Sequence, residues 1–496
     1  MLYHLDGMET SIVVRRRLGA WLMMLGCPVS ACNGEAKQAP PVVAPLGPVP
    51  LLDTDPDLDR IEVTLIAGPA KWEYLPGKPA DVWAYRDGND PQAAGSVPGP
   101  LLLGKVGDQV TVHFRNELPE ETTIHWHGLR VEASHDGSNI SQTPVPPGGS
   151  HTYEFTLTDA GTFWFHPHLH SDVQIERGLY APIVVVGNDG NDGNDGNDGN
   201  DGNDGIMVDA ERMLVLDDVK VESNGLLSET ITSLDLMVGR QGNVLLVNGS
   251  KQPRLQVRSN GRERWRLLNT ANGTFFNLNI PGHTFRVIGW DGGLLPEPYE
   301  VETLLIAPGE RYEVLVELRG NPGAELSLQT VFYDRGHDLP DLGARSLLTL
   351  ALGEPSAEPL PALPTRWGQF TAIPITNDTP IRRFVLKEEE ATPVKEPRFF
   401  INDEVFPEVT PVVVTTNSVE IWEIENDAEM DHPFHLHGTF FQLPDHPQRG
   451  WKDTVNVPTK STVRVAVRFD SPGMWMYHCH ILEHAERGMM GELYVD

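Results

Sequence analysis

Most of the eighteen histidines in this chain fall into four compact groups. They are "HWHG" with His125 and His127, "HPHLH" with His166, His168 and His170, "HPFHLHG" with His432, His435 and His437, and "HCHILEHAERGMM" with His478, His480 and His484. A strand sends residues i and i+2 to the same face, so each His-x-His pair can present two imidazoles to one shared site. The pairs His125/His127, His166/His168, His435/His437 and His478/His480 together offer eight neutral nitrogen ligands. That is too many for one metal ion and suits about three ions with open positions.

The residues left over have the opposite parity. Cys479 lies between His478 and His480, so its side chain leaves by the other face of the strand. His432 is three before His435 and is also off that pair's face, while His484 and Met489 follow Cys479 at five-residue steps. One thiolate, two imidazoles and a thioether make the ligand set of a blue-copper electron-transfer site, with the thioether as a weak axial ligand. Thiolate plus thioether favours copper over hard cations, and this set is uncommon for zinc. Cys479 would then hold one copper while its chain neighbours hold a cluster. The two sites would be joined through backbone over roughly a dozen Å, the reach of side chains on opposite faces of one strand. A lone His-x-His is weak evidence; four, the last interrupted by a cysteine, are specific.

The other cysteines, Cys27 and Cys32, lie in a segment that reads as an export leader over residues 1–32. Arg15, Arg16 and Arg17 precede the apolar run "LGAWLMMLG", and "VSAC" at 29–32 has the form of a bacterial lipoprotein processing site. The apolar run is too short for a permanent span, and Met8 is a candidate true start. An ordinary cleaved signal peptide is the alternative, and the three arginines also permit twin-arginine export. The expectation is an exported monomer, periplasmic or anchored to the cell envelope by lipid at Cys32. Its folded body would keep the single thiol Cys479, which points to a thiol occupied by metal. The net charge of -32 argues against nucleic acid and anionic membrane surfaces as partners.

The elements that must position these groups read as strands. A length of 496 residues suggests about three domains. "QVTVHF" puts Val110, Val112 and Phe114 on one face, "TVRVAVRF" does the same with Val463, Val465, Val467 and Phe469, and "RYEVLVEL" repeats the pattern at 311–318. No long helical periodicity appears, so the fold class is all-β, built of β-sandwiches. A Pro-rich tether is expected at 33–60, then domains at 61–187, 206–355 and 376–496, separated by a GND-repeat linker at 188–205 and a Pro-rich linker at 356–375. The GND repeat could alternatively form a low-affinity Ca²⁺ site, because Asp and Asn supply oxygen ligands.

The four histidine groups resemble the copper motifs of the multicopper oxidases, HxHG, HxH, HxxHxH and HCHxxxHxxxxM. "GSVPGPLLLGKVGDQVTV" at 95–112 and "GHTFRVIGWDGG" at 282–293 extend the likeness, which spans residues 60–496. The resemblance implies three cupredoxin-like Greek-key β-sandwich domains and four copper ions. Its type 1 ligands would be His432, Cys479, His484 and axial Met489. The type 2 ligands would be His125 and His435, and the type 3 ligands His127, His166, His168, His437, His478 and His480. His170 is left over, as second support or a surface residue. His4, His113, His135, His151, His283, His337 and His446 are expected to be ordinary surface or packing residues.

The implied activity is laccase-like. Phenolic or aromatic reductants would give up single electrons near His484, expected at the surface, and Cys479 would carry them toward the cluster, where dioxygen is reduced to water. Asp136, in "RVEASHDG", stands where similar bacterial enzymes carry an acid beside the cluster and is expected to supply protons, the alternative being a turn-forming Asp before Gly137. Ala485 stands where similar enzymes often have Glu, flanked by Glu483 and Glu486. A metal-ion oxidase acting on Cu(I), Mn(II) or Fe(II) is the nearest alternative, although the twelve methionines form no cluster of the kind cuprous oxidases often carry. A copper-storing envelope protein would not need a thiolate joined to a cluster. A copper-less scaffold would have lost ligands that are intact here.

Overall fold

The computed structural model describes residues 47–187, 206–356, 360–364, 367–368, 370–392 and 395–496. The export leader with Cys27 and Cys32, and the GND repeat at 188–205, lie outside the described residues. Six sheets pair into three β-sandwiches. In the first, a sheet ordered Lys78–Asp87, Arg60–Leu75, Gln109–Asn116 and Ser150–Thr156 packs on one ordered Leu102–Lys105, Ala181–Val186, Gly161–His166 and His125–His127. Val110, Val112 and Phe114 of the first sheet meet Trp126, Phe163 and Phe165 of the second in one core. The third sandwich repeats the plan. Its second sheet runs Val412–Val414, Met490–Val495, Gly473–Cys479, His432–Leu436 and Thr454–Val457.

Each sandwich contains the same non-sequential parallel pair. Arg60–Leu75 pairs with Gln109–Asn116, Ala210–Val219 with Gly261–Asn269, and Ile381–Glu389 with Val419–Asn426. That repeated crossover shows the three sandwiches to be copies of one topology. The α-helices among the described residues are short, the longest being Ser233–Val238. No helix there is long and apolar enough to cross a membrane.

Two expectations need correction. The expected tether does not run free over 47–59. Leu51 N–H donates to Leu101 O (2.8 Å) and Leu52 N–H to Asp87 Oδ2 (2.6 Å), so this stretch lies along the first sandwich as an edge, where proline is tolerated. In "RYEVLVEL" the first half of the polar face is not solvated either, although Glu317 is exposed. Arg311 and Glu313 are as buried as Val314 and Val316. Arg311 Nε donates to Thr162 O (2.9 Å), and Thr162 Oγ1 donates to Glu313 Oε1 (3.1 Å). This end of the strand faces the first sandwich, and its charges pair within the protein: Arg311 with Asp453 of the third sandwich, Glu313 with Arg264 and Arg266 of the middle one.

Candidate metal centres

The histidine groups sit where matching strand pairs of the first and third sandwiches meet. In the first sandwich His125 lies opposite His166, and in the third His435 lies opposite His478. The two strand pairs face each other through stacked rings: His125 on His437 with centroids 3.9 Å apart, and His127 on His435 at 3.8 Å. Eight buried imidazoles converge in three sets, His125/His127/His435, His127/His166/His480 and His168/His437/His478, each with ligand atoms within 4.8 Å of one another. Burial disfavours protonation, lowering His168 to about 3.

Hydrogen bonds at the outer nitrogens fix the tautomers. A carbonyl accepts from Nδ1–H in His125 (Asp136 O), His166 (Pro167 O), His435 (Asp453 O) and His478 (Cys479 O), each at 2.9 Å. A bond of that kind leaves a bare lone pair on the other ring nitrogen, here Nε2. His437 Nδ1 donates to the Asp136 carboxylate at 3.0 Å. His127 is reversed: Nε2 meets Asp453 Oδ1 (3.1 Å), so Nδ1 is the free one. The inward Nε2 atoms of His125, His166 and His435, and Nδ1 of His127, are buried with no partner. Nε2 of His437 and of His478 lie only 3.1 Å apart with both protons accounted for elsewhere. Buried, unpaired lone pairs aimed at a common space fit cations and little else.

The residues of opposite parity form a separate centre. Cys479 Sγ is 3.4 Å from His432 Nδ1 and 3.8 Å from His484 Nδ1, and the two nitrogens are 3.2 Å apart. His484 Nε2–H donates to Met237 O (3.0 Å), which leaves its Nδ1 lone pair facing the sulfur. Met489 joins the same buried cluster as Cys479, and its main-chain oxygen accepts from Cys479 N–H (3.0 Å). Met490 faces away, against Met476, Ala485 and Phe406. Burial pushes the Cys479 thiol well up, so a thiolate here requires a cation beside it.

His484 is not at the surface as expected. The helix Ser233–Val238 of the middle sandwich lies over it, and Phe399 stacks on its ring with centroids 3.9 Å apart. A capping box of Thr232 and Asp235 starts that helix. Arg335 Nη2 donates to Val238 O (2.6 Å), which ties its end to the middle sandwich.

Asp136 is buried between His125 and His437, so its place beside the cluster is plain. Of its flanking candidates, Glu486 accepts from Ser171 N–H (2.6 Å) and Oγ (2.8 Å) of the first sandwich. Glu483 accepts from Asn272 Nδ2 (2.9 Å), and burial pushes it up to about 7. His170 stays outside every group, exposed and 3.7 Å from Glu120. One supposedly ordinary histidine is not: His337 lies 2.9 Å from Glu388, whose other oxygen is 3.9 Å from His432 Nε2. Sequence reasoning also missed Asp453, Arg311 and Met237. None has a spacing signal, because Asp453 and Met237 reach a histidine through the fold rather than along a strand, and Arg311 reaches one only through Asp453.

Family models of multicopper oxidases match residues 80–190, 214–324 and 377–496. A multicopper oxidase of Staphylococcus epidermidis is 30% identical over 417 residues, covering 81% of this chain and 83% of that protein. This chain is a multicopper oxidase. Among solved structures, a laccase from Pediococcus acidilactici matches with a TM-score of 0.75 at 31% identity, over 93% of this chain and 95% of that one. A Campylobacter jejuni multicopper oxidase described as a metallo-oxidase matches with a TM-score of 0.77 at 28% identity, over 91% and 96%. Membership makes this multicopper oxidase a copper-dependent oxidoreductase, with dioxygen and a reductant as its substrates, in three cupredoxin-like domains.

Proposed function

We propose that this multicopper oxidase is laccase-like, oxidising aromatic reductants one electron at a time and passing four electrons to dioxygen. The observation that carries the reading is Cys479. Its sulfur faces His432 and His484, while its neighbours His478 and His480 face the three-part histidine cluster. Type 1 copper would be held by His432, Cys479, His484 and Met489, type 2 by His125 and His435, and the type 3 pair by His127, His166, His168, His437, His478 and His480. Copper, when bound, supplies the one-electron steps and the reduction of dioxygen.

The chain's own residues supply the path, the ligand orientation and the protons. A single peptide bond separates Cys479 from the cluster histidine on each side, His478 and His480. Carbonyls and the Asp136 carboxylate hold the imidazoles aimed inward. Asp136, in contact with two of them, is the proposed proton carrier. The middle sandwich covers His484, so a reductant delivers its electron through a wall rather than onto the ring. A cavity there is lined by Gln241, Phe275, Phe332, Tyr333, Arg335 and Leu342, among others. Tyr333 O–H donates to Asp431 Oδ2 (2.6 Å), next to His432, and Arg335 reaches Val238 O, next to Met237. Its lining holds aromatic rings and no thioether or carboxylate, which favours an aromatic reductant over Cu(I) or Mn(II). An exported, envelope-associated enzyme fits the leader expected at 1–32.

A panel of phenols, aromatic amines, Cu(I), Mn(II) and Fe(II) tests the reading, with dioxygen uptake as the readout. Phenols and amines should give the highest kcat/KM. Preference for a metal ion by tenfold or more would replace the laccase-like reading with a metal-ion oxidase.

Met489→Leu should keep the blue colour and raise the type 1 potential, because loss of a weak axial donor destabilises the oxidised ion. Met490→Leu is the control and should leave the potential unchanged. A redox titration of both variants checks this; an unmoved potential in Met489→Leu removes the axial assignment.

A further inference from the structure

The middle sandwich gives no histidine to any of the groups, yet one of its turns reaches the cluster. Residues 307–311, "APGER", end in the fully buried Arg311. Its guanidinium grips the Asp453 carboxylate at two points, Nη1 to Oδ1 (2.6 Å) and Nη2 to Oδ2 (2.6 Å). The remaining donors go to Thr162 O (2.9 Å), Gly309 O (3.2 Å) and Asp291 O (3.1 Å), so all five N–H groups are used. With both oxygens engaged, Asp453 cannot turn. It offers Oδ1 to His127 Nε2 (3.1 Å) and its main-chain oxygen to His435 Nδ1 (2.9 Å).

Two glycines show that this packing is built in. A Cβ on Gly128, the glycine of "HWHG", would meet Arg311 Nη2 at 2.4 Å and Asp453 Oδ2 at 2.8 Å, in a backbone with φ +86°. A Cβ on Gly309, in the same turn as Arg311, would meet the His480 ring at 2.8 Å. The turn thus bears on two imidazoles of one set, His127/His166/His480. In the set His168/His437/His478, His437 and His478 are oriented instead by Asp136 and by the Cys479 carbonyl.

We infer that the middle domain governs one copper position of the cluster: Arg311, acting through Asp453, is a positioning residue that fixes the tautomer of His127 and so the affinity of the His127/His166/His480 position. This rests on the copper assignment proposed above. A fixed carboxylate keeps the His127 proton on Nε2 and leaves Nδ1 bare toward the site. If Asp453 is freed, the proton can move to Nδ1 and close that position. Loss of such supporting contacts typically weakens metal affinity about 10–100-fold.

Arg311→Lys is the variant of choice, because it keeps the buried charge but cannot grip both oxygens. Its copper should resist a competing chelator about 10–100-fold less well than wild type at one ion per chain. The blue type 1 band should stay intact. Loss of one member of a magnetically coupled pair should make its partner visible by electron paramagnetic resonance, raising the detectable fraction of copper. In metal-free wild-type protein labelled with ¹⁵N-histidine, His127 should carry its proton on Nε2; in metal-free Arg311→Lys that preference should weaken. Unchanged copper retention in Arg311→Lys overturns the inference, as does equal loss of every copper including the blue one. So does a metal-free wild type protonated on Nδ1 of His127. The tautomer measurement needs no copper. It therefore separates this inference from the copper assignment, whose failure would show as a wild type that never takes up its full complement.

Discussion

Replacing Cys479 with serine should give a folded, colourless protein with no turnover above the uncatalysed background. The sulfur is the one soft anionic donor in its centre, and the intense blue of such sites comes from charge transfer between thiolate and copper. Serine is nearly the same size, and its hydroxyl would not be stranded. His432 Nδ1 and His484 Nδ1 face it as acceptors, and Ile481 N–H, 3.4 Å from Sγ in wild type, remains a donor. An unsatisfied hydroxyl would cost about 1–3 kcal/mol, and that cost is avoided here. The cluster imidazoles keep their outer hydrogen bonds, so copper content should fall by one ion per chain. Visible absorption, copper analysis and dioxygen uptake together check this. A blue band that survives in Cys479→Ser would refute the assignment of the thiolate. A related measurement concerns pH. Burial raises the thiol's pKa, so type 1 loading must expel a proton and should weaken as pH falls.

Much of this site was legible in the chain because strand parity is a local property. The alternation in "HCH" placed Cys479 on one face and His478 and His480 on the other, and the structure separates them in that way. The odd spacing of His432 from His435 put it with the cysteine for the same reason. What parity does not carry is the identity of a neighbour from another sandwich. "RYEVLVEL" alternates as a half-solvated strand would, and nothing in it reveals that Arg311 and Glu313 face the first sandwich instead of water. "SLDLMVG" is a short helix with an ordinary cap, and its seat over His484 depends on how the middle sandwich docks. His337 looked ordinary because Glu388, through which it reaches His432, lies 51 residues away in sequence. Local periodicity therefore found the histidines that converge, whereas the residues that orient and cover them belong to interfaces between domains.

Asp136→Asn should leave the protein fully coppered and its type 1 reduction fast, while reoxidation by dioxygen slows by on the order of 10²–10⁴-fold, the usual worth of a positioned proton donor or acceptor. Reducing dioxygen to water consumes a proton for each electron. Imidazoles held on metal by one nitrogen and on a carbonyl by the other cannot shuttle them readily. Asp136 lies beside His437 Nδ1 (3.0 Å) and His125 Nδ1 (3.3 Å), fully enclosed by protein. Asparagine retains one oxygen to accept from His437, so ligand orientation is largely kept and titration is lost. Orientation and proton supply then give different signatures. Loss of copper with the rate per fully loaded enzyme unchanged would assign Asp136 to orientation alone. Slow reoxidation at full copper, relieved by millimolar formic or acetic acid as a diffusible carrier, would assign it to proton supply. Glu486 is the comparison, since it also bridges sandwiches, through Ser171. Its oxygen is already engaged by two donors, which should hold it in place rather than free it to cycle. Glu486→Gln should accordingly leave reoxidation within a few-fold of wild type. If Glu486→Gln carries the slowdown and Asp136→Asn does not, the proton path enters from the Ser171 side of the cluster, and Asp136 only orients its two histidines.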